Sequence, residues 1–214
     1  MRLRLLLITL GALLVIITFT FPQWLPLLQG DPLAGGEAFP GLRAGLQADF
    51  GRLPTNQQQA YLALAADNPT RAIAMFEASL QPRVMAPEDE ESRPSGLGGV
   101  IADGSLEAVD AIGPVIGEIR IFPRGDGAPL LRLENFTIVP GPDLLVYLST
   151  HSNPSTPQEL RFQDAEVEVG PLRATDGNHH YDLPETLDFQ PIQSVVIYSA
   201  ALDVIYATAP LFTR

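Results

Sequence analysis

Cysteine is absent from the 214 residues, which excludes disulfides, thiolate metal sites, iron–sulfur clusters and cysteine nucleophiles. Lysine is absent as well: all 13 basic residues are arginines, set against 25 acidic ones for a net charge of −12. General nucleic-acid binding is excluded with it, because that needs clustered cations to displace condensed counterions. Charged residues make up only 18% of the chain and aromatics 7%, while a hydrophobic share of 46% is ordinary for a folded domain. No phosphate-cradling glycine loop, no Gly-x-Ser-x-Gly elbow and no repeat of fixed period is present. A chain of this length buries enough core to do without disulfides, even if exported.

The first feature present is an apolar run. Arg2 and Arg4 precede residues 5–21, which carry no charge and are rich in Leu, Ile and Val. The chain stays uncharged through Leu28, with Trp24 near the far end. A bilayer core needs roughly 20 apolar helical residues, so residues 1–29 are expected to form an uncleaved transmembrane anchor. Pro22 and Pro26 loosen the helix at the far interface, a depth that suits Trp24. The arginines place the N-terminus in the cytoplasm by the positive-inside rule. The result is a single-pass protein of the cell membrane with its C-terminal part outside the cytoplasm. The rival is a cleaved signal peptide, but Phe21-Pro22-Gln23-Trp24 is a poor cleavage context. Beyond the run, 11 basic residues face 25 acidic ones, a balance of −14. An anionic lipid surface repels such a domain.

Residues 30–54, rich in Gly and Pro, read as a juxtamembrane linker with a short helix near 42–50. Residues 55–81 read as a helical hairpin. Thr55 and Gln58 match a capping box, and Asn68 followed by Pro69 restarts the helix as N-cap and first helical residue. Ile73, Phe76 and Leu80 make the second helix's apolar stripe, which packs on its partner helix or the neighbouring domain, or serves as a docking stalk. Residues 82–98 are acidic and apolar-poor and read as a solvated linker; the calcium-loop ligand spacing is missing. From Gly99 the period becomes alternating. Strands are expected at 115–122, at 129–139 with Leu131, Leu133, Asn135 and Thr137 on one face, at 143–150, at 166–169 with valines inward, at 194–198 and at 201–207. The fold class is mainly β: a single sandwich or barrel-like domain over 99–214, preceded by the transmembrane helix and the helical hairpin.

Five elements in this stretch carry a likeness. They are residues 115–119 (Val-Ile-Gly-Glu-Ile), 131–136 (Leu-Arg-Leu-Glu-Asn-Phe), 141–148 (Gly-Pro-Asp-Leu-Leu-Val-Tyr-Leu), 177–184 ending Tyr-Asp-Leu-Pro, and 194–199 (Ser-Val-Val-Ile-Tyr-Ser). In that order they resemble the DM-thirteen domain family, labelled electron-transfer DM, of Skeletor-type and exported bacterial proteins, over about residues 99–211. The resemblance marks Gly141, Pro142, Asp143, Tyr147, Tyr198 and Ser199 as motif positions and implies an electron-transfer component. The family's proposed redox role rests on a cysteine after the aromatic residue of the last quoted strand. Here Tyr198 is followed by Ser199, whose hydroxyl cannot cycle through thiol oxidation states.

Ser199, on a central strand, reads as a small core residue filling a cysteine-sized space rather than a hydrolase nucleophile, which would need a base beside it. His179 and His180, expected in a turn beside Asp176 and Asp182, would point apart and share a metal only if His151 came close. Asp143 either satisfies turn N–H groups or contacts a ligand or cation. Asp164, Glu166 and Glu168 read as a solvated strand face. Asn135-Phe136-Thr137 matches a glycosylation sequon, with Asn135 inside a strand. No catalytic residue, metal site or cofactor is predicted. The expected function is that of a non-catalytic extracytoplasmic module holding an envelope protein or ligand, with electron transfer as the alternative.

Overall fold

The structure, a computed structural model, describes residues 39–125, 127–160 and 166–214. The expected anchor, with the first part of the linker, lies outside them. Among the described residues no helix is long and apolar enough to cross a membrane. The chain divides into two compact units, 1–52 and 53–214. In the first, helix α1 (Ala44–Gly51) brings Phe50 edge-on to Phe39, ring centroids 5.4 Å apart.

The second unit opens with α2 (Thr55–Asp67) and α3 (Pro69–Ser79). Asn68 caps α3 through its side-chain oxygen, which accepts from the Arg71 N–H at 3.0 Å, and Pro69 takes the first helical position. The capping box at Thr55 does not form. Pro54 occupies the N-cap in extended conformation, so Thr55 is already helical, and the Gln58 amide reaches the Leu53 carbonyl instead. The stripe is also shifted: Ala72, Met75 and Phe76 are buried, whereas Leu80 is exposed. Phe76 meets Tyr61 of α2 edge-to-face at 5.3 Å, so the stripe packs on its partner helix.

Two antiparallel sheets follow, making a sandwich and not a closed barrel. Strands β1 (Ala102–Ser105), β3 (Val115–Phe122), β4 (Leu130–Ile138), β7 (Asp176–Asp182) and β10 (Phe212–Thr213) form sheet A, in the order β10-β1-β3-β4-β7. Strands β2 (Glu107–Ala108), β5 (Leu144–Ser149), β6 (Val167–Pro171), β8 (Ser194–Ser199) and β9 (Val204–Pro210) form sheet B, in the order β2-β9-β8-β5-β6.

The register puts Ile119, Ile121, Leu131, Leu133, His179 and Tyr181 on one face of sheet A, all buried. The simple alternation expected along β4 breaks at Asn135, which is exposed at φ 50° where the register slips between Leu133 and Phe136. This bulge replaces Asn135 and Thr137 on the apolar face by Phe136 and Ile138, both buried. It also takes the sequon asparagine out of the regular ladder. Strand β8 is buried along its whole length. Val196 and Tyr198 on one side cluster with Leu160, from the short helix α5 (Pro157–Leu160), and Ile205.

The acidic stretch is largely exposed, as expected of a solvated segment, but it docks on the sandwich instead of running free. Val84 and Ala86 exchange backbone hydrogen bonds with Thr175 and Asp176, covering the edge of β7. A one-turn helix, α4 (Glu88–Glu91), then crosses sheet A, and the Glu90 and Glu91 carbonyls accept from the Arg132 guanidinium at 3.0 and 2.8 Å. Arg132 lies between Arg120 and His180 across β3, β4 and β7. These carbonyls, with the Glu134 carboxylate, take up the Arg132 guanidinium and leave it only 2% exposed, while Arg120 pairs with Glu118 and Glu134 of the sheet itself. Farther on, the Arg93 guanidinium lies over the Phe122 ring at 4.3 Å, and Leu97 bridges to Arg124.

Candidate functional site

Local backbone demands build the site around residues 140–144. Entry into β5 needs a sharp turn, and Asp143 takes it in the left-handed region at φ 49°, a conformation Asp tolerates better than most residues. Gly141 is required for another reason: a Cβ there would come within 2.6 Å of the Tyr206 ring. The end of β8 clamps the turn. The Ser199 hydroxyl donates to the Pro142 carbonyl at 2.6 Å and accepts from the Leu202 N–H at 3.3 Å, while the Asp143 carbonyl accepts from the Ala200 N–H.

Gly141, Pro142, Asp143 and Ser199, widely separated in sequence, therefore meet at one place. Ser199 is fully buried and does more than fill space: both its hydrogen bonds fix the turn. With its proton committed to a carbonyl, and no histidine among its partners, it has no activating base. Turn capping by Asp143 is not found. Its carboxylate is exposed and, among the described residues, no hydrogen bond reaches it.

Beside this turn is a cavity of about 490 Å³, lined by residues 140–144, residues 171–175, and Ala78, Gln81, Pro82 and Val84. The volume lies within the range of small-ligand sites. Its lining is mostly apolar, with Asp143 and Arg173 as the charged groups. Arg173 is already engaged: it donates to the His180 carbonyl at 3.1 Å, contacts Glu90 at 3.4 Å and lies over the Tyr181 ring at 4.8 Å. Tyr181 steadies the same wall by donating to the Pro171 carbonyl at 3.1 Å, and burial pushes its phenol up to about 12. Asp143 is left as the uncommitted charge.

Residues 110–211 match a protein-family model described as Electron transfer DM13. The chain carries a DM-thirteen domain. No curated protein and no solved structure matched it. The matched stretch begins inside the region expected from Gly99 and leaves β1, β2, the acidic strap and the hairpin outside.

Within the DM-thirteen domain the histidines lie on strand β7, not in a turn, because residues 176–182 pair along β4. Alternation sends them to opposite faces. His179 is fully buried between Phe136 and Tyr181, centroids 5.1 and 5.7 Å away, and burial pulls its imidazole down to about 4. His180 is half-buried on the other face, with Nδ1 3.7 Å from Glu90. His151 sits after β5, where its Nδ1 accepts from the Asn153 N–H at 3.3 Å. Among the described residues no three of His, Asp and Glu gather into a metal-holding group. Asp164 lies outside the described residues; Glu168 accepts from the Tyr147 hydroxyl at 2.8 Å.

Tyr147 and Tyr198 come together on the outer face of sheet B, centroids 5.9 Å apart and planes at 81°. Sequence reasoning missed three groups: Tyr206 under Gly141, Arg132 beneath the strap, and the carboxylates Glu90 and Glu91. A lone arginine between Leu131 and Leu133 was the available signal, since a charge in a buried strand needs partners from elsewhere.

Proposed function

We propose that this DM-thirteen domain is a non-catalytic binding module of the cell envelope, tethered by its N-terminal apolar segment with the domain outside the cytoplasm. The observation carrying this reading is the apolar cavity beside the locked turn at residues 140–144, with the Asp143 carboxylate exposed at its lining and uncommitted. Such a cavity suits an apolar group carried next to a cation, on an envelope protein or a small ligand. The committed Ser199 and the absence of cysteine speak for a holding role rather than a reaction.

A photo-crosslinking residue in place of Leu172, in the full chain in its native membrane, is the test. A discrete adduct that disappears with Asp143→Lys is expected, because the lysine would repel a cationic group. An adduct pattern insensitive to Asp143→Lys, or none at all, would count against the reading. A second reading, electron transfer, needs a carrier other than a thiol, and the paired tyrosines of sheet B are the observation in its favour.

A further inference from the structure

We propose that Tyr147 and Tyr198 form a tyrosyl redox relay, in which an oxidising equivalent enters at Tyr147 and comes to rest on Tyr198 while Asp203 holds the phenolic proton. The two rings meet edge-to-face at 5.9 Å, close enough for an electron to pass between them without a bridging group. Each phenol already donates to a carboxylate, Tyr147 to Glu168 at 2.8 Å and Tyr198 to Asp203 at 2.6 Å. That geometry matters because a phenol that loses an electron becomes a very strong acid. Oxidation at an accessible potential therefore requires the proton to leave with the electron, to a base already within hydrogen-bond reach.

The balance of the step is simple. One electron leaves Tyr147 for a one-electron oxidant and its phenolic proton moves to Glu168; Tyr198 then returns an electron to Tyr147, which takes that proton back, while the Tyr198 O–H bond breaks and its proton adds to the Asp203 carboxylate. A neutral phenoxyl and a neutral carboxylic acid replace a phenol and a carboxylate anion. The electron returns from a reductant of the thiol or ascorbate class, and the proton moves back. The oxidant is an organic radical or a high-potential metal complex encountered at the surface.

The two positions differ in a way that gives the relay direction. Tyr147 is half-buried and reachable, whereas Tyr198 is 6% exposed and packed among Leu160, Val196 and Ile205. Burial shields a phenoxyl on Tyr198 from coupling with a second molecule. The idea does not depend on the cavity beside Asp143, which lies elsewhere on the chain's own residues.

The test is flash oxidation of the full chain in detergent with photogenerated tris(bipyridine)ruthenium(III), followed by transient absorption and electron paramagnetic resonance. A long-lived tyrosyl signal is expected in the parent, lost in Tyr198→Phe, and slower to appear in Tyr147→Phe. Asp203→Asn should slow formation about a hundredfold, the low end of what a positioned proton acceptor supplies. Asparagine tolerates the left-handed backbone at position 203, φ 54°, so that variant keeps the fold. Both Phe variants remove only a hydroxyl and retain Tyr61, Tyr181 and Tyr206 as internal controls. An equal signal lifetime in Tyr198→Phe, or an unchanged rate in Tyr147→Phe or Asp203→Asn, overturns the proposal.

Discussion

Ser199 shows what one hydroxyl can fix. The apolar run before it made its burial legible from sequence, and that part of the expectation held. Its partners were not legible, because Pro142 is brought to it only by the antiparallel pairing of β5 with β8. Ser199→Ala leaves the part-buried Pro142 carbonyl and Leu202 N–H without this partner, so a loss of about 2 kcal/mol is expected in denaturant melts. Ser199→Cys should cost less, and its thiol should resist maleimide until the protein unfolds, since buried thiols are inert. Rapid labelling in the folded state would contradict the clamped turn. His179 gives a pH dependence of opposite origin. Its folded value of about 4 lies below the ordinary 6.5, because burial disfavours the imidazolium. Between those values the unfolded chain binds a proton that the folded one refuses. Stability is therefore greatest above the unfolded value and falls as pH drops from 6.5 toward 4, by about 3 kcal/mol. Urea melts across that range should show the slope, and His179→Phe should flatten it; a slope surviving in His179→Phe would assign it to other groups.

At the scale of elements, most of the sandwich strands were readable because their apolar residues alternate and turn residues separate them. The phase error on β4 had a visible cause. A regular strand would have put Asn135 and Thr137 on the same face as Leu131 and Leu133, a conflict that the bulge removes. Asn68-Pro69 was readable because both cap signals are local, whereas the Thr55 capping box failed because Pro54 took the cap. The strap was unreadable for the complementary reason: its partners, Arg132, Arg173 and Asn178, are far along the chain and reach Glu90 and Glu91 only once the sheet has formed. Arg132→Ala removes the buried donor to the Glu90 and Glu91 carbonyls and to the Glu134 carboxylate. A loss of about 3 kcal/mol is expected, as for other broken buried charge networks. Hydrogen exchange locates the effect: the amides of Ala86 and His180, bonded across the strap, should exchange far faster. Protection left intact there would mean the strap is held by something other than Arg132.

For the whole molecule, the boundary of the family match and the boundary of the folded unit differ, and the difference has consequences. Residues 110–211 omit β1, which pairs with β3 along its full length, and β2, which borders β9. They also omit residues 84–86, which cover the edge of β7, and the strap that buries Arg132. A fragment cut at the family limits would therefore present β3, β9 and β7 as open edges, each a template for pairing with another copy. It would also expose Arg132, which the intact unit covers with the Glu90 and Glu91 carbonyls. Size compounds this, because a shorter chain buries a smaller fraction of its surface and has less core to offset chain entropy. Residues 53–214 keep every one of these coverings within one compact unit. That longer segment should unfold in a single cooperative thermal transition and elute as one discrete species. The 110–211 fragment should elute as aggregate and melt without cooperativity. If the fragment instead stays discrete and melts within a few degrees of the longer segment, then hairpin, strap and the first two strands are accessories to a self-sufficient sandwich, and the stabilising role given to them here is wrong.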